Sequence, residues 1–279
     1  MQGQARALCR VFSRPGFPRP EYYRHDRTRR LCAKRSVSEG SEVSTRTLGR
    51  VGGVGAAMCA AAIVLMHVVQ PTLNPVDVAV SYYMNGRLGV VLGIGLVALG
   101  IGSLSLAAGL RATFGRGRAN AGLWLLLVWG GGCIVGGIFP PDPYGQWDQP
   151  PSLPGMVHGM GGLLAFLAFS PAAWLLSRRI AAPVTTATRP RVLKRLAGLS
   201  FLVLLTFFVC LVPVFADGPP FALGLVERVL LTLDLGWVAV ASSIVAGGDA
   251  GAFDAHDGEM HAPTTAPTLV RRLQPPSSR

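Results

Sequence analysis

The chain has 279 residues, half of them hydrophobic and only 14% charged, with a mean hydropathy of +0.43. Soluble domains carry about a quarter charged residues, so this composition excludes an ordinary soluble enzyme or binding module. The net charge of +12 would suit nucleic acid, but no stacking pattern or nucleic-acid-binding fold accompanies it, and its distribution follows membrane topology instead.

Residues 1–47 are rich in Arg, Ser and Pro without apolar periodicity, and read as a disordered basic tail able to touch anionic lipid headgroups. The chain from Val43 onward would be complete without them. A native peptide covering Tyr22 is the observation that would place residues 1–42 in the mature protein. Six apolar runs follow: Leu48–Val69, Leu88–Leu110, Ala121–Phe139, Met156–Leu176, Leu196–Phe215 and Pro220–Val245. At ~1.5 Å per residue each can cross ~30 Å of hydrocarbon. Backbone groups facing lipid must be satisfied within their own segment, so the runs predict helices. Transmembrane strands would be about half as long and would alternate in polarity. The expectation is an all-α polytopic integral membrane protein with six transmembrane helices over residues 48–247, followed by a disordered tail, 248–279.

Of the 26 Lys and Arg residues, twelve lie at or before Arg50 and three between the second and third helices (Arg111, Arg116, Arg118). Six lie between the fourth and fifth helices and three in the C-terminal tail, whereas the opposite side has Arg87 alone and Arg228 is within a helix. The positive-inside rule then puts both termini in the cytoplasm. An even helix count makes the same demand. The first apolar run is too long and starts too late for a cleavable signal peptide. Cys9 and Cys32 lie in the tail and Cys59, Cys133 and Cys210 within helices, so no disulfides are expected.

In chain order, Gly49, Gly52, Gly53 and Gly55 in the first helix and six glycines in the second predict close helix packing. No phosphate loop occurs. Between them, QPTLNPVDVAVSYYMNGR suits an interfacial segment, with Tyr82 and Tyr83 at headgroup depth. The third helix ends in a Gly130–Gly137 run, and a turn with Asp142 and Asp148 leads to His158 just inside the fourth. Pro213 is expected to bend the outer end of the fifth helix. Its short connection to the sixth predicts an antiparallel hairpin. The tract Asp254–His261 reads as solvated polar tail.

Placed by depth, the ionisable residues gather on one side. His67, Arg87, Asp142 and Asp217 fall near helix mouths, His158 ~6 Å inside, Glu227 and Arg228 ~10–12 Å and Asp234 ~20 Å deep. A charge in hydrocarbon costs at least ~2.5–3.5 kcal/mol on insertion scales, so these groups should face inward and be partnered. Glu227 and Arg228 point about 100° apart on a helix, so each needs its own partner. The pairings expected are Arg228 with Asp142 or Asp217, and Glu227 with Arg87 or a histidine.

Three readings compete: a polar network fixing helix register; an outward-facing site for a lipid headgroup, small solute or proton; and a metal-dependent lipid hydrolase. In the last, His67, His158, Asp142 and Glu227 would be zinc ligands and base, although no metal-ligand spacing links them. A small-solute or proton-linked transporter is a further option, without a detectable inverted repeat. No cofactor other than zinc is suggested, the implied partner is membrane lipid, and enzymatic activity and oligomeric state stay open.

Four segments carry a resemblance: NPVDVAVSYYMNGR, GGIFPPDP, PGMVHGMGGLLAF and GLVERV. The chain resembles the bacterial six-helix membrane proteins catalogued as domain of unknown function 998, over roughly Arg46 to Gly248. The resemblance implies this topology and a bacterial inner (plasma) membrane location, but no established activity. By it, Asp142, His158, Glu227 and Arg228 match family motif positions. The stretch from Asp77 to Ser81 is a less polar form of the family's serine-containing segment.

Overall fold

A computed structural model describes residues 25–114, 121–146, 149–180, 188–215 and 221–247, the side chains of 25–43, 214 and 215 apart. These residues form helices α1 (His25–Val69), α2 (Gly89–Phe114), α3 (Ala121–Ile138), α4 (Leu153–Ile180), α5 (Thr188–Phe215) and α6 (Leu223–Gly247), with a 3₁₀ turn at Val80–Asn85. No strand occurs among the described residues. All six helices contain a stretch long and apolar enough to cross a membrane, so the chain is a multi-pass membrane protein. Within α1 that stretch is Ser44–Val69. The helix itself begins at His25, where no regular structure was expected. Residues 25–47 contain no proline, and adding turns to an existing helix avoids the cost of nucleation.

Each helix packs against its neighbour in sequence, and α6 returns to α1, so the six form a closed ring. Glycines allow the helices to approach closely. A Cβ on Gly93 of α2 would lie 2.6 Å from the Gly137 carbonyl of α3, and one on Gly137 would lie 2.6 Å from that of Gly93. Any side chain there would push the two backbones apart, which is the close packing the glycines predicted.

The ring is uneven. In the apolar window of α6, 56% of residues are buried, against 17% in that of α5. Leu199, Phe201, Leu202, Leu205, Val209 and Val212 of α5 are exposed, as suits a helix facing lipid. The interior is filled by Trp129 of α3, Phe169 of α4 and Trp237 of α6, all fully buried. Their rings meet in sequence, Trp129 to Phe169 at 4.6 Å and Phe169 to Trp237 at 5.7 Å between centroids. A buried indole N–H needs an acceptor. Trp129 Nε1 donates to Ser103 Oγ of α2 (3.1 Å), and Trp237 Nε1 to Ser177 Oγ of α4 (2.8 Å).

Candidate functional site: a hydrogen-bonded cap and a lateral groove

At one end of the bundle, here the upper end, α1 and α3 finish and α2, α4 and α6 begin. The connection from Gln70 to Leu88 lies across this end and is held mostly through its main chain. Asn74 Nδ2 donates to Asp77 Oδ2 (2.7 Å), and the other oxygen of Asp77 accepts the Ala222 N–H (3.3 Å) at the start of α6. Leu225 N–H donates to the Val76 carbonyl (2.8 Å). Val80 N–H donates to Glu227 Oε2 at 2.5 Å. The opening turn of a helix has backbone N–H groups with no intrahelical partner, and residues 76–80 supply acceptors there. The approach is close enough that a Cβ on Gly224 would overlap the Val78 carbonyl.

Arg228 completes this contact. Its Nη1 donates to the carbonyls of Val78 (2.7 Å) and Gly224 (2.8 Å), and its Nε donates to His67 Nε2 (2.8 Å). Since His67 Nε2 accepts, the ring proton sits on Nδ1, which donates to the Ile63 carbonyl (2.7 Å). Both nitrogens of His67 are therefore engaged. The guanidinium also lies 5.6 Å from the centre of the Tyr83 ring, within cation–π range. Arg228 Nη2 is buried and has no hydrogen-bond partner among the described residues.

Among the described residues Arg228 is held by His67 and backbone carbonyls and not by Asp142, while its other expected partner, Asp217, lies outside them; Glu227 is held by the Val80 amide rather than by Arg87 or a histidine. Arg87 is exposed. Asp142 sits at the mouth of α4, where its Oδ2 accepts the Ser152 N–H (3.1 Å) and Ser152 Oγ accepts that of Gly155 (3.1 Å). A carboxylate and a hydroxyl thereby cap the positive end of α4. His158 Nδ1 lies 2.8 Å from the Phe139 carbonyl and 3.1 Å from that of Gly136, so it caps the C-terminal end of α3. Asp234 is in the middle of α6, with Ser200 Oγ donating to its Oδ1 at 2.6 Å. Asp148 and Asp217 lie outside the described residues.

The depth-ordered cluster therefore separates into three: His67, Glu227 and Arg228 at the α1–α6 junction; Asp142 and His158 on the α3–α4 hairpin; and Asp234 deeper, facing α5. Among the described residues no three His, Cys, Asp or Glu side chains gather as metal ligands. The quartet His67, His158, Asp142 and Glu227 is dispersed, with the donor atoms of His67 already used.

Two residues that carry no charge, and so drew no notice in the sequence, hold the cap together. Gln70 is buried, and its Nε2 donates to the carbonyls of Tyr83 and Arg87, both at 2.9 Å. Asn85 Nδ2 donates to the Pro141 carbonyl (3.0 Å), joining the 3₁₀ turn to the α3–α4 connection. A lone amide ending an apolar run was the signal for Gln70.

Beneath the cap a groove of about 390 Å³ runs between α1 and α6. Its walls include Gly53, Ala56, Ala57 and Ala60 of α1 and Leu231, Leu235, Gly236 and Ala239 of α6, and Arg228 and Val80 line it as well. Small residues on both helices make it, and Val64 and Val229 beside it are exposed.

A ring of six apolar helices with a hydrogen-bonded cap and a lateral, arginine-bearing groove defines a multi-pass membrane protein. The chain belongs to the family described as Protein of unknown function (DUF998), whose model matches residues 53–244. That span includes both walls of the groove and the cap. No curated protein and no solved structure matches the chain.

Proposed function

We propose that this protein binds an anionic amphiphile, a membrane lipid with an acidic headgroup, in the groove between α1 and α6. The observation that carries the reading is Arg228, a half-buried cation that lines a mostly apolar groove and whose Nη2 has no hydrogen-bond partner among the described residues. An arginine held within the hydrocarbon region is costly, and such residues mark ligand or ion sites more often than they serve packing alone. An acyl chain fits walls of glycine and alanine. A phosphate or carboxylate oxygen would satisfy Nη2 with a charge-assisted hydrogen bond. The lipid enters sideways, since the groove is flanked by exposed Val64 and Val229.

The same proposal places the protein in a bacterial plasma membrane with both termini in the cytoplasm, as the segregation of 24 of its 26 basic residues supports. The upper end and its cap then face outward, and the bound headgroup belongs to the outer leaflet. The hydrolase reading is not favoured, because the would-be zinc ligands stand apart among the described residues.

The test is thermal unfolding of the purified protein in nanodiscs of phosphatidylcholine with increasing phosphatidylglycerol. The expected result is a midpoint that rises with the anionic lipid in the wild type and stays flat in Arg228→Gln. Equal responses in the two proteins would overturn the reading.

A further inference from the structure

Asp234 lies at the middle of α6, well below the cap, and is 1% exposed. Its Oδ1 accepts a hydrogen bond from Ser200 Oγ of α5 (2.6 Å), and Ser200 Oγ is 2.9 Å from Ser170 Oγ of α4. Its Oδ2 is buried and has no hydrogen-bond partner among the described residues. Ser170 and Ser200 are themselves fully buried. Three helices thus converge on one carboxyl group, and neither of its oxygens is bonded to a basic side chain among the described residues. Cys133 of α3 is near enough to interact with it electrostatically; its thiol brings no positive charge. Glu227, two turns above on the same helix, is engaged with Val80, and Arg228 with His67 and the cap.

An ionised carboxylate in this place would present Oδ2 as a bare negative charge in hydrocarbon, the most expensive arrangement available to it. Something positive has to occupy that oxygen. Ser200 Oγ already donates to Oδ1 and Ser170 Oγ is bonded to Ser200 Oγ, so the oxygen left open is Oδ2. A proton needs only that oxygen. We infer that Asp234, Ser200 and Ser170 form an intramembrane proton-binding site, in which Asp234 is a neutral carboxylic acid with its proton on Oδ2. Ser200 holds Oδ1 as the acceptor, so the proton is directed to the other oxygen. The inference is independent of the lipid reading, since it uses no residue of the groove's polar head.

Infrared difference spectroscopy of the membrane-reconstituted protein tests it. The expected spectrum at neutral pH contains a carboxylic-acid carbonyl band that shifts in D₂O. That band is absent in the isosteric variant Asp234→Asn and unchanged in Glu227→Gln. In Ser200→Ala the band persists but moves to higher frequency, because the bond to Oδ1 is gone; a residue that only packs would leave the frequency where it was. Absence of the band in the wild type would overturn the inference, as would its survival in Asp234→Asn. So would a thermal midpoint that depends on replacing sodium by potassium at constant ionic strength, which would assign the site to a metal cation.

Discussion

Arg228 Nε donates to His67 Nε2 at 2.8 Å, and this one bond decides which nitrogen of the histidine carries the proton. It also joins the last turn of α1 to the second turn of α6, so the first and last helices of the ring meet through a cation and a neutral imidazole. Nitrogen-15 spectra of histidine-labelled protein should show His67 as the Nδ1–H tautomer. The His67→Ala variant leaves Arg228 Nε without its acceptor, at a cost of about 1–3 kcal/mol in unfolding free energy. An Nε2–H signal for His67 would remove the basis for this prediction.

Glu227→Gln keeps an acceptor for the Val80 amide and should lose less than about 1 kcal/mol, whereas Glu227→Ala orphans a buried N–H and should cost about 1–3 kcal/mol. Thermal unfolding of the two variants in one detergent separates them. Equal losses would mean that the charge of Glu227, rather than its bond to Val80, matters.

Gly224→Ala places a methyl group against the Val78 carbonyl, so the segment Val76–Val80 has to lift from α6. Overpacking of this kind costs about 1–3 kcal/mol. Carried on an Ala79→Cys background, it should raise the rate of labelling by a membrane-impermeant maleimide several-fold, because Ala79 is buried in the docked segment. An unchanged rate would show that the cap yields without opening.

His158→Ala removes the side chain that serves the carbonyls of Gly136 and Phe139, and hydrogen exchange should quicken at the end of α3 while α1 and α6 stay protected. The stability loss expected is about 1 kcal/mol. Zinc should not restore it. Faster exchange throughout the bundle would contradict the separation of the α3–α4 hairpin from the Arg228 contact.

Tyr82 lies in the 3₁₀ turn, outside the spanning helices, and burial, followed by the charge of Glu227, pushes its phenol up to about 12. An unfolded tyrosine ionises near about 10. Between these values the unfolded chain binds fewer protons than the folded one, so stability falls as pH rises. The difference in stability between wild type and Tyr82→Phe should therefore be constant below about pH 9 and narrow in the wild type's disfavour above about 10. A difference that stays flat through this range would refute the assignment.

Six helices and their glycine seams were legible in the sequence because length, hydropathy and small-residue spacing are side-chain properties. The partners of the polar residues were not. Sequence reasoning paired Arg228 with a carboxylate and Glu227 with a base, since opposite charge is the visible criterion. Among the described residues Arg228 meets His67, Val78 O and Gly224 O, and Glu227 meets Val80 N–H, and main-chain groups are the same at every position. His158 is the same case, aimed at carbonyls of α3. Asp234 stood out as a charge within an apolar run, but the two serines facing it from α4 and α5 did not. Serine is common enough in such helices that neither stood out. The three-way division of the cluster follows from which helices are neighbours, and packing order is not written in hydropathy.

Gly49 of α1 lies against Ala246 of α6, close enough that a Cβ on the glycine would sit 2.6 Å from the Ala246 amide nitrogen. The beginning and the end of the helical bundle are thus side by side at the same end, while the α3–α4 connection lies at the other. A circular permutant that links α6 to α1 and opens near Tyr144 would keep every helix–helix seam and every contact of the cap except those of the opened connection. The order of the helices around the ring, rather than the place where the chain enters it, is what specifies the structure.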